Sequence, residues 1–201
     1  EVISFAVCGI LDKPGSEIPL GHPLFAGSAY KDYMDWKNGK GRWKLLGATF
    51  LGNLKHEGIS SKVTYGFAPA EQNSSGNLTD GLLGTETTYD KNWLGFDKND
   101  LIVSIDLGAV QKIRTLAARF LNYRPYEVYL PGCVRFSLSN DGENYRDLPA
   151  ITFDNYTYDV HDCWIDIATL DTDEEARFIR VFAVNTARKW IFADEVMVNP
   201  E

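Results

Sequence analysis

From residue 59 onward, apolar and polar positions alternate in short runs separated by turn residues. "DLIVSIDLG" places Leu101, Val103, Ile105 and Leu107 on one face and Ser104 and Asp106 on the other. "CVRFSLSNDG" places Val134, Phe136 and Leu138 inward and Arg135 and Ser137 outward, then stops at Asn140-Asp141-Gly142. "RFIRVFAV" sets Ile179, Val181 and Ala183 against Arg180 and Phe182, and "DEVMV" follows. Successive side chains of a strand face opposite ways, so a period of two with one apolar side marks a half-buried strand. Short strands of this kind between turn signals, with little helix, predict a mainly β domain: an antiparallel β-sandwich over 59–201.

Residues 1–58 follow another pattern. "EVISFAVCGIL" is apolar at nearly every position, as in a strand covered on both faces. A Pro/Gly loop follows, "DKPGSEIPLGHPLFAG". "SAYKDYMDWKNGKG" then reads as a helix, capped by Ser28, with Tyr30, Tyr33, Met34 and Lys37 on one face. "RWKLLGATFLGNLK" fits a helical stripe that Gly47 and Gly52 weaken. The segment is expected to be a β–loop–α extension. A chain that opens in mid-strand without Met is expected to be a mature or excised piece of something longer.

Composition narrows the function classes. A hydrophobic fraction of 44% supports a real core rather than a disordered tail. Twenty basic residues against 28 acidic give −8, and no Lys/Arg run offsets this, so nucleic acid and anionic membrane surfaces are poor partners. No apolar stretch reaches membrane-spanning length. Cys8, Cys133 and Cys163 lack metal-ligand spacing and read as small buried hydrophobes, with a Cys133–Cys163 disulfide as the alternative. His22, His56 and His161 are scattered, with nothing nearby to make a zinc site or a base.

"LTDGLLG", residues 78–84, combines a carboxylate, a hydroxyl and two glycines. Asp80-Gly81 reads as a tight turn. The alternative is a hard-cation site using Asp80, a Thr hydroxyl and inward backbone carbonyls.

Five stretches, in order, carry a family likeness: "NLTDGLLGTETTYDKNWLGF", "LIVSIDLGAVQKIRTLAARF", "YLPGCVRFSLSNDGENYRDL", "ARFIRVFAVN" and "WIFADEVMV". Together they resemble the coagulation-factor type C, or discoidin-like, domain. More narrowly, they look like the galactose-binding-like jelly-roll modules attached to bacterial glycoside hydrolases, such as those following β-hexosaminidase barrels in Bacteroides-type bacteria. The N-terminal part resembles the last strand and helix of a TIM-barrel glycosidase-like domain. By this resemblance the chain is a non-catalytic carbohydrate-binding or accessory module of a secreted glycan-degrading protein, found outside the cell, in the periplasm or at the cell surface. Its partners would be a glycan or polysaccharide and an upstream catalytic domain of the same protein. The alternatives are the C-terminal part of a glycoside hydrolase with catalysis upstream, and an adhesion module for protein or lipid head groups.

The resemblance also implies a structural calcium ion. Asp80 and Glu195 would give carboxylates, Thr85 a hydroxyl or carbonyl, and backbone carbonyls near Asn77, Gly81 and Ala193 the rest. The competing reading has Asp80 capping its own turn and Glu195 paired with Lys189 or Arg188. Leu82 and Leu83 stand where some relatives carry polar residues.

A sugar site needs an aromatic platform and planar polar groups. Two loops offer both: Asn122, Tyr123, Arg124, Tyr126 and Tyr129 in one, Asn185, Arg188, Lys189 and Trp190 in the other. The expected site is Asn122, Tyr123, Arg124, Tyr126, Lys189 and Trp190. "FDNYTYDVHDCW" offers a third set, Tyr156, Tyr158 and His161. Trp93 and Trp164 read as core, and Trp190 beside Ile191 and Phe192 shares that reading. No Asn follows Arg124 at the spacing of galactose-binding relatives, which argues against galactose-type recognition and leaves Arg124 as an ion-pair partner of Glu127 or of an acidic residue across an interface with the barrel.

Overall fold

A computed structural model describes residues 55–72, 77–153 and 163–200. The extension expected over most of 1–58, together with Cys8, His22, Tyr156, Tyr158 and His161, lies outside the described residues.

The strands are β1 (Lys62–Tyr65), β2 (Glu71–Gln72), β3 (Leu94–Asp97), β4 (Leu101–Asn122), β5 (Val134–Ser139), β6 (Arg146–Asp147), β7 (Trp164–Ala183) and β8 (Trp190–Val198). Every strand pair is antiparallel. β4 and β7 are long enough to serve two layers. The first halves of β4 and the last third of β7 lie between β1 and β5. The second half of β4 lies between the start of β7 and β8, and β8 carries β3 and β2 beyond it. The strands turn the corner at a bulge, where Asp106 opposes Phe178 but Gln111 already opposes Ala176. Extra residues on one strand bend it and increase its twist. The predicted β-sandwich is the fold observed.

Alternation explains the core. Leu101, Val103, Ile105, Val134, Phe136, Leu138, Ile179, Val181 and Ala183 all enter one buried cluster, closed from the other layer by Leu116, Phe120, Ile191 and Val196. Leu107 is only half-buried against this cluster, because it starts the corner bulge. From Leu116 to Asn122 the alternation stops and every residue is buried. Here the outward face of β4 is roofed by the segment bringing Leu83 and Trp93, which pack on Ala117, Ile167 and Met197 and on Leu121, Val128 and Phe192. Trp93 is core, as read from the sequence. Cys133 and Cys163 are free, half-buried thiols, so the disulfide alternative is not formed. Burial lifts the Cys163 thiol to about 11. Among the described residues, no helix is long and apolar enough to cross a membrane.

Candidate functional site

The ends of β4, β7 and β8 meet at one rim of the sandwich. β4 finishes at Asn122, and a single 3-10 turn, Arg124–Tyr126, follows with Pro125 fixing its start. Glu127 ends the turn in the left-handed region at φ 57°, its N–H donating to the Arg124 carbonyl. This reversal sends Val128 back beside Trp190. The Trp190 N–H donates to the Glu127 carbonyl, and the Tyr129 N–H to the Trp190 carbonyl. The two predicted loops are therefore one rim.

Three tyrosines crown it. Tyr123 and Tyr126 stack with ring centroids 5.0 Å apart at 20°. Tyr89, from the loop before β3, stands edge-on to Tyr126 at 6.0 Å, and their hydroxyls are 2.8 Å apart. That hydroxyl bond holds the Tyr89 phenol above its usual range. Tyr89 is 75% exposed and Tyr126 49%, so the ring surface faces solvent. Tyr89 was not among the expected site residues. Nothing local marks it, and only the fold brings it to Tyr126, 37 residues away.

The other expected residues support this rim in different ways. Lys189 Nζ donates to Glu127 Oε1 at 2.6 Å, so Glu127 pairs with Lys189 and not with Arg124. Asn122 is buried, and its Nδ2 has no acceptor among the described residues; Arg124 Nε is likewise buried without one. Trp190 is half-buried, edge-on to Phe192 at 5.8 Å and packed on the cluster around Trp93. It buttresses the rim as well as lining it.

The Asp80 turn lies on β8. Gly81 takes a φ of 77°, open to glycine and strained for other residues. Asp80 accepts N–H bonds from Asn77 (3.0 Å) and Leu82 (2.9 Å), so it caps its own turn. The Gly81 N–H donates to Glu195 Oε1, and the Val196 N–H to the Leu78 carbonyl, tying turn to strand. Glu195 pairs with neither Lys189 nor Arg188. Its partner is His56, whose Nε2 is 2.7 Å from Oε1, both side chains fully buried. The Gly58 N–H donates to His56 Nδ1, so the imidazole proton sits on Nε2 and is donated to Glu195. Burial pushes His56 down to about 4, so the pair is a neutral imidazole bonded to a carboxyl group. Burial, with Asp80 nearby adding to it, pushes Glu195 up to about 9.

Two features of this turn fit a cation. Glu195 Oε2 is buried without a partner, and a second carboxylate, Asp80, lies close enough to disfavour its charge. Thr85 is engaged elsewhere: its hydroxyl and N–H donate to Asp90 Oδ2, and its carbonyl accepts from Trp93 Nε1. The described residues hold no group of three or more His, Cys, Asp or Glu arranged as metal ligands. The available donor set is thus two carboxylates and the carbonyls of the turn.

Next to Glu195, a buried ion pair braces the same roof. Arg119 Nη1 donates to Asp194 Oδ2 at 2.7 Å, and both side chains are fully buried. Arg119 Nη2 reaches the Gly84 carbonyl, and the Gly84 N–H donates back to Asp194 Oδ2. The guanidinium also lies 5.7 Å from the centre of the Trp93 ring. Burial pushes the Asp194 carboxyl up to about 7 against the pull of Arg119.

No family model matches the chain, and no curated relative does. Solved structures do. CpGH89CBM32-5 from Clostridium perfringens, in complex with GalNAc-β-1,3-galactose, is similar at a TM-score of 0.50 and 16% identity, covering 73% of this chain and 99% of that module. The two share the antiparallel jelly-roll sandwich fold. Chitosan-binding module 2 from a Paenibacillus chitosanase/glucanase, in complex with chitotriose, shares this module fold at 0.50 and 16%, covering 71% of this chain and 98% of its own. So does the C-terminal domain of a chitobiase from Bacteroides fragilis, at 0.50 and 18%, covering 72% and 96%. At these identities the likeness is one of fold, and the rim chemistry of this module fold has to be read from its own residues.

Proposed function

We propose that the sandwich is a non-catalytic glycan-binding module of a secreted glycan-degrading protein, with its sugar site on the tyrosine rim. The observation that carries this reading is the cluster of Tyr89, Tyr123 and Tyr126 at one rim, with the Tyr89 and Tyr126 rings exposed. Sugar rings present apolar C–H faces that stack on aromatic surface, and their hydroxyls seek fixed polar groups. A neighbour in fold holds GalNAc-β-1,3-galactose, another chitotriose, and a third is the C-terminal domain of a chitobiase. These support a glycan ligand; attachment to an upstream hydrolase domain and a place outside the cell, in the periplasm or at the cell surface, are parts of the same proposal.

The reading includes a structural calcium ion held by Asp80, Glu195 and turn carbonyls, supported by the partnerless Glu195 Oε2. The ion would supply positive charge between two carboxylates and tie the turn to β8 more firmly. Thr85, whose hydroxyl and carbonyl are engaged by Asp90 and Trp93, stays outside this donor set.

Titration of the chain with galactose-, GalNAc- and chitosan-type oligosaccharides tests the sugar site. Loss of one stacking ring in Tyr126→Ala should weaken binding by about 1–2 kcal/mol, roughly five- to thirtyfold. Unchanged affinity in Tyr126→Ala and Tyr89→Ala would remove the rim from the proposal.

A further inference from the structure

A second concave feature lies on the outward face of the first layer, across β1, β4, β7 and β5. It encloses about 440 Å3. Strand register explains its lining. Ser104 opposes Thr64 on one side and Arg180 on the other, and Arg180 in turn opposes Ser137, which opposes Asp147. This gives a row of hydroxyls with a guanidinium at its centre. In the neighbouring row the apolar Ile102 opposes Phe182, which opposes the charged Arg135 at its far end. At the open side Gly66 hydrogen-bonds the Ile102 carbonyl, and a side chain there would collide with Ile102. The groove is thus a flat Phe/Ile floor running beside a polar row.

Its charges are unequal. Asp147 is occupied, accepting from Arg135 at 3.2 Å and from the Ser137 hydroxyl at 2.7 Å. Arg180 has no acidic partner among the described residues. Its guanidinium lies 3.7 Å from the centre of the Tyr145 ring, and its Nε is 3.4 Å from Ser104 Oγ. Stacking on one side and a hydroxyl at Nε hold the fork in place while leaving Nη atoms for a ligand. Two arginines against one aspartate leave one positive charge in this groove, on a chain whose net charge is −8. A fixed, unpaired guanidinium beside hydroxyls and a ring face suits a bidentate anion carried on a sugar ring.

We propose that this sheet-face groove is a second binding site, separate from the tyrosine rim, for a sugar unit bearing a carboxylate or sulfate. Phe182 supplies the platform, Arg180 the anion contact, and Ser104 and Thr64 the hydroxyl partners. The inference rests on the glycan-binding reading for its ligand class, while the need for an anion comes from the groove alone.

Titrations of the full chain with trigalacturonate, with a sulfated chondroitin oligosaccharide and with neutral chitotriose test it. Either anionic sugar should bind, and the two arms tell carboxylate from sulfate. Affinity should fall about tenfold or more in Arg180→Gln and in Phe182→Ala, and weaken as salt rises. Tyr126→Ala should leave it unchanged. Amide shifts of the wild type on adding the anionic sugar, centred on Ser104, Ser137 and Phe182, provide a readout independent of variant folding. Failure of both anionic sugars to bind, or equal binding by Arg180→Gln, overturns the second site. Chitotriose binding lost in Tyr126→Ala under those outcomes leaves the rim reading standing. Anionic binding lost in Arg180→Gln and Phe182→Ala, with no sugar sensitive to Tyr126→Ala, supports the groove and removes the rim.

Discussion

Replacing Arg119 by Met should unfold the module more readily than almost any other single change on its surface or in its core. The arginine is fully buried, and three partners depend on it: Asp194 at 2.7 Å, the Gly84 carbonyl at 3.1 Å and the Trp93 ring. Met fills the volume of the stem, so little is lost as a cavity. The cost arises because Asp194 keeps one N–H bond from Gly84 but no counter-charge, in a site without water access. Removing one member of a buried pair costs about 3–5 kcal/mol. For a domain of this size that lowers Tm by roughly 6–20 °C. Asp194→Asn strands the guanidinium instead and should cost a similar amount. The informative variant is the double, Arg119→Met with Asp194→Asn. It removes both charges and keeps an acceptor for the Gly84 N–H, so it should be milder than either single change. Urea unfolding followed by far-ultraviolet circular dichroism measures all four corners of the cycle. A double variant as costly as the two single changes added together would refute the idea that stranded charge, rather than lost packing, sets the penalty. So would a loss below about 1 kcal/mol in Arg119→Met.

Three further outcomes follow from the geometry. Calcium at about a hundred times its Kd should stabilise the chain by about 2.7 kcal/mol, a rise of roughly 5–10 °C reversed by EDTA and absent in Glu195→Gln; an unchanged Tm in millimolar calcium removes the ion from the reading. Gly84→Ala drives a methyl group into the Trp93 ring and should cost about 1–3 kcal/mol in urea unfolding, whereas a neutral result would mean the roof is loosely packed. Asp106 is held below its ordinary range first by its two bonds to Arg177, at 2.7 and 2.8 Å, and Asp173 by Lys112. Because the unfolded chain takes up these protons first, their contribution is present above the ordinary Asp range and lost as pH falls through the lowered values. The acid fall of Tm should therefore be shallower in Asp106→Asn than in the wild type; an identical acid slope in that variant would contradict the assignment.

The first layer was legible because it is covered on one side only. Ser104, Arg135 and Arg180 face outward and their neighbours inward, so a period of two is written into β4, β5 and β7. The second layer was harder. Leu116–Asn122 is buried on both faces, so alternation vanishes, and Arg119 looks like an ordinary surface charge. A lone arginine inside the otherwise apolar run Leu116–Leu121 was the available signal. His56 carried no signal at all, since its partner lies 139 residues away. The rim was half legible. Tyr123, Tyr126 and Trp190 could be named from aromatic loops, but the choice of platform depends on exposure, which burial of Trp190 and the arrival of Tyr89 decide. Ion-pair partners were the least legible feature, because Glu127 chose Lys189 and Glu195 chose His56 through tertiary approach.

Strands β4 and β7 run through both layers, joined to each other along nearly their whole length. A sandwich whose halves are built from separate strands can open like a book, one sheet fraying while the other persists. Here neither half can melt without pulling the same two ribbons out of the other. Slowly exchanging amides should therefore run continuously along β4 and β7 across the corner and be released together, making the domain a single cooperative unit in which the tyrosine rim and the sheet-face groove share one structural fate.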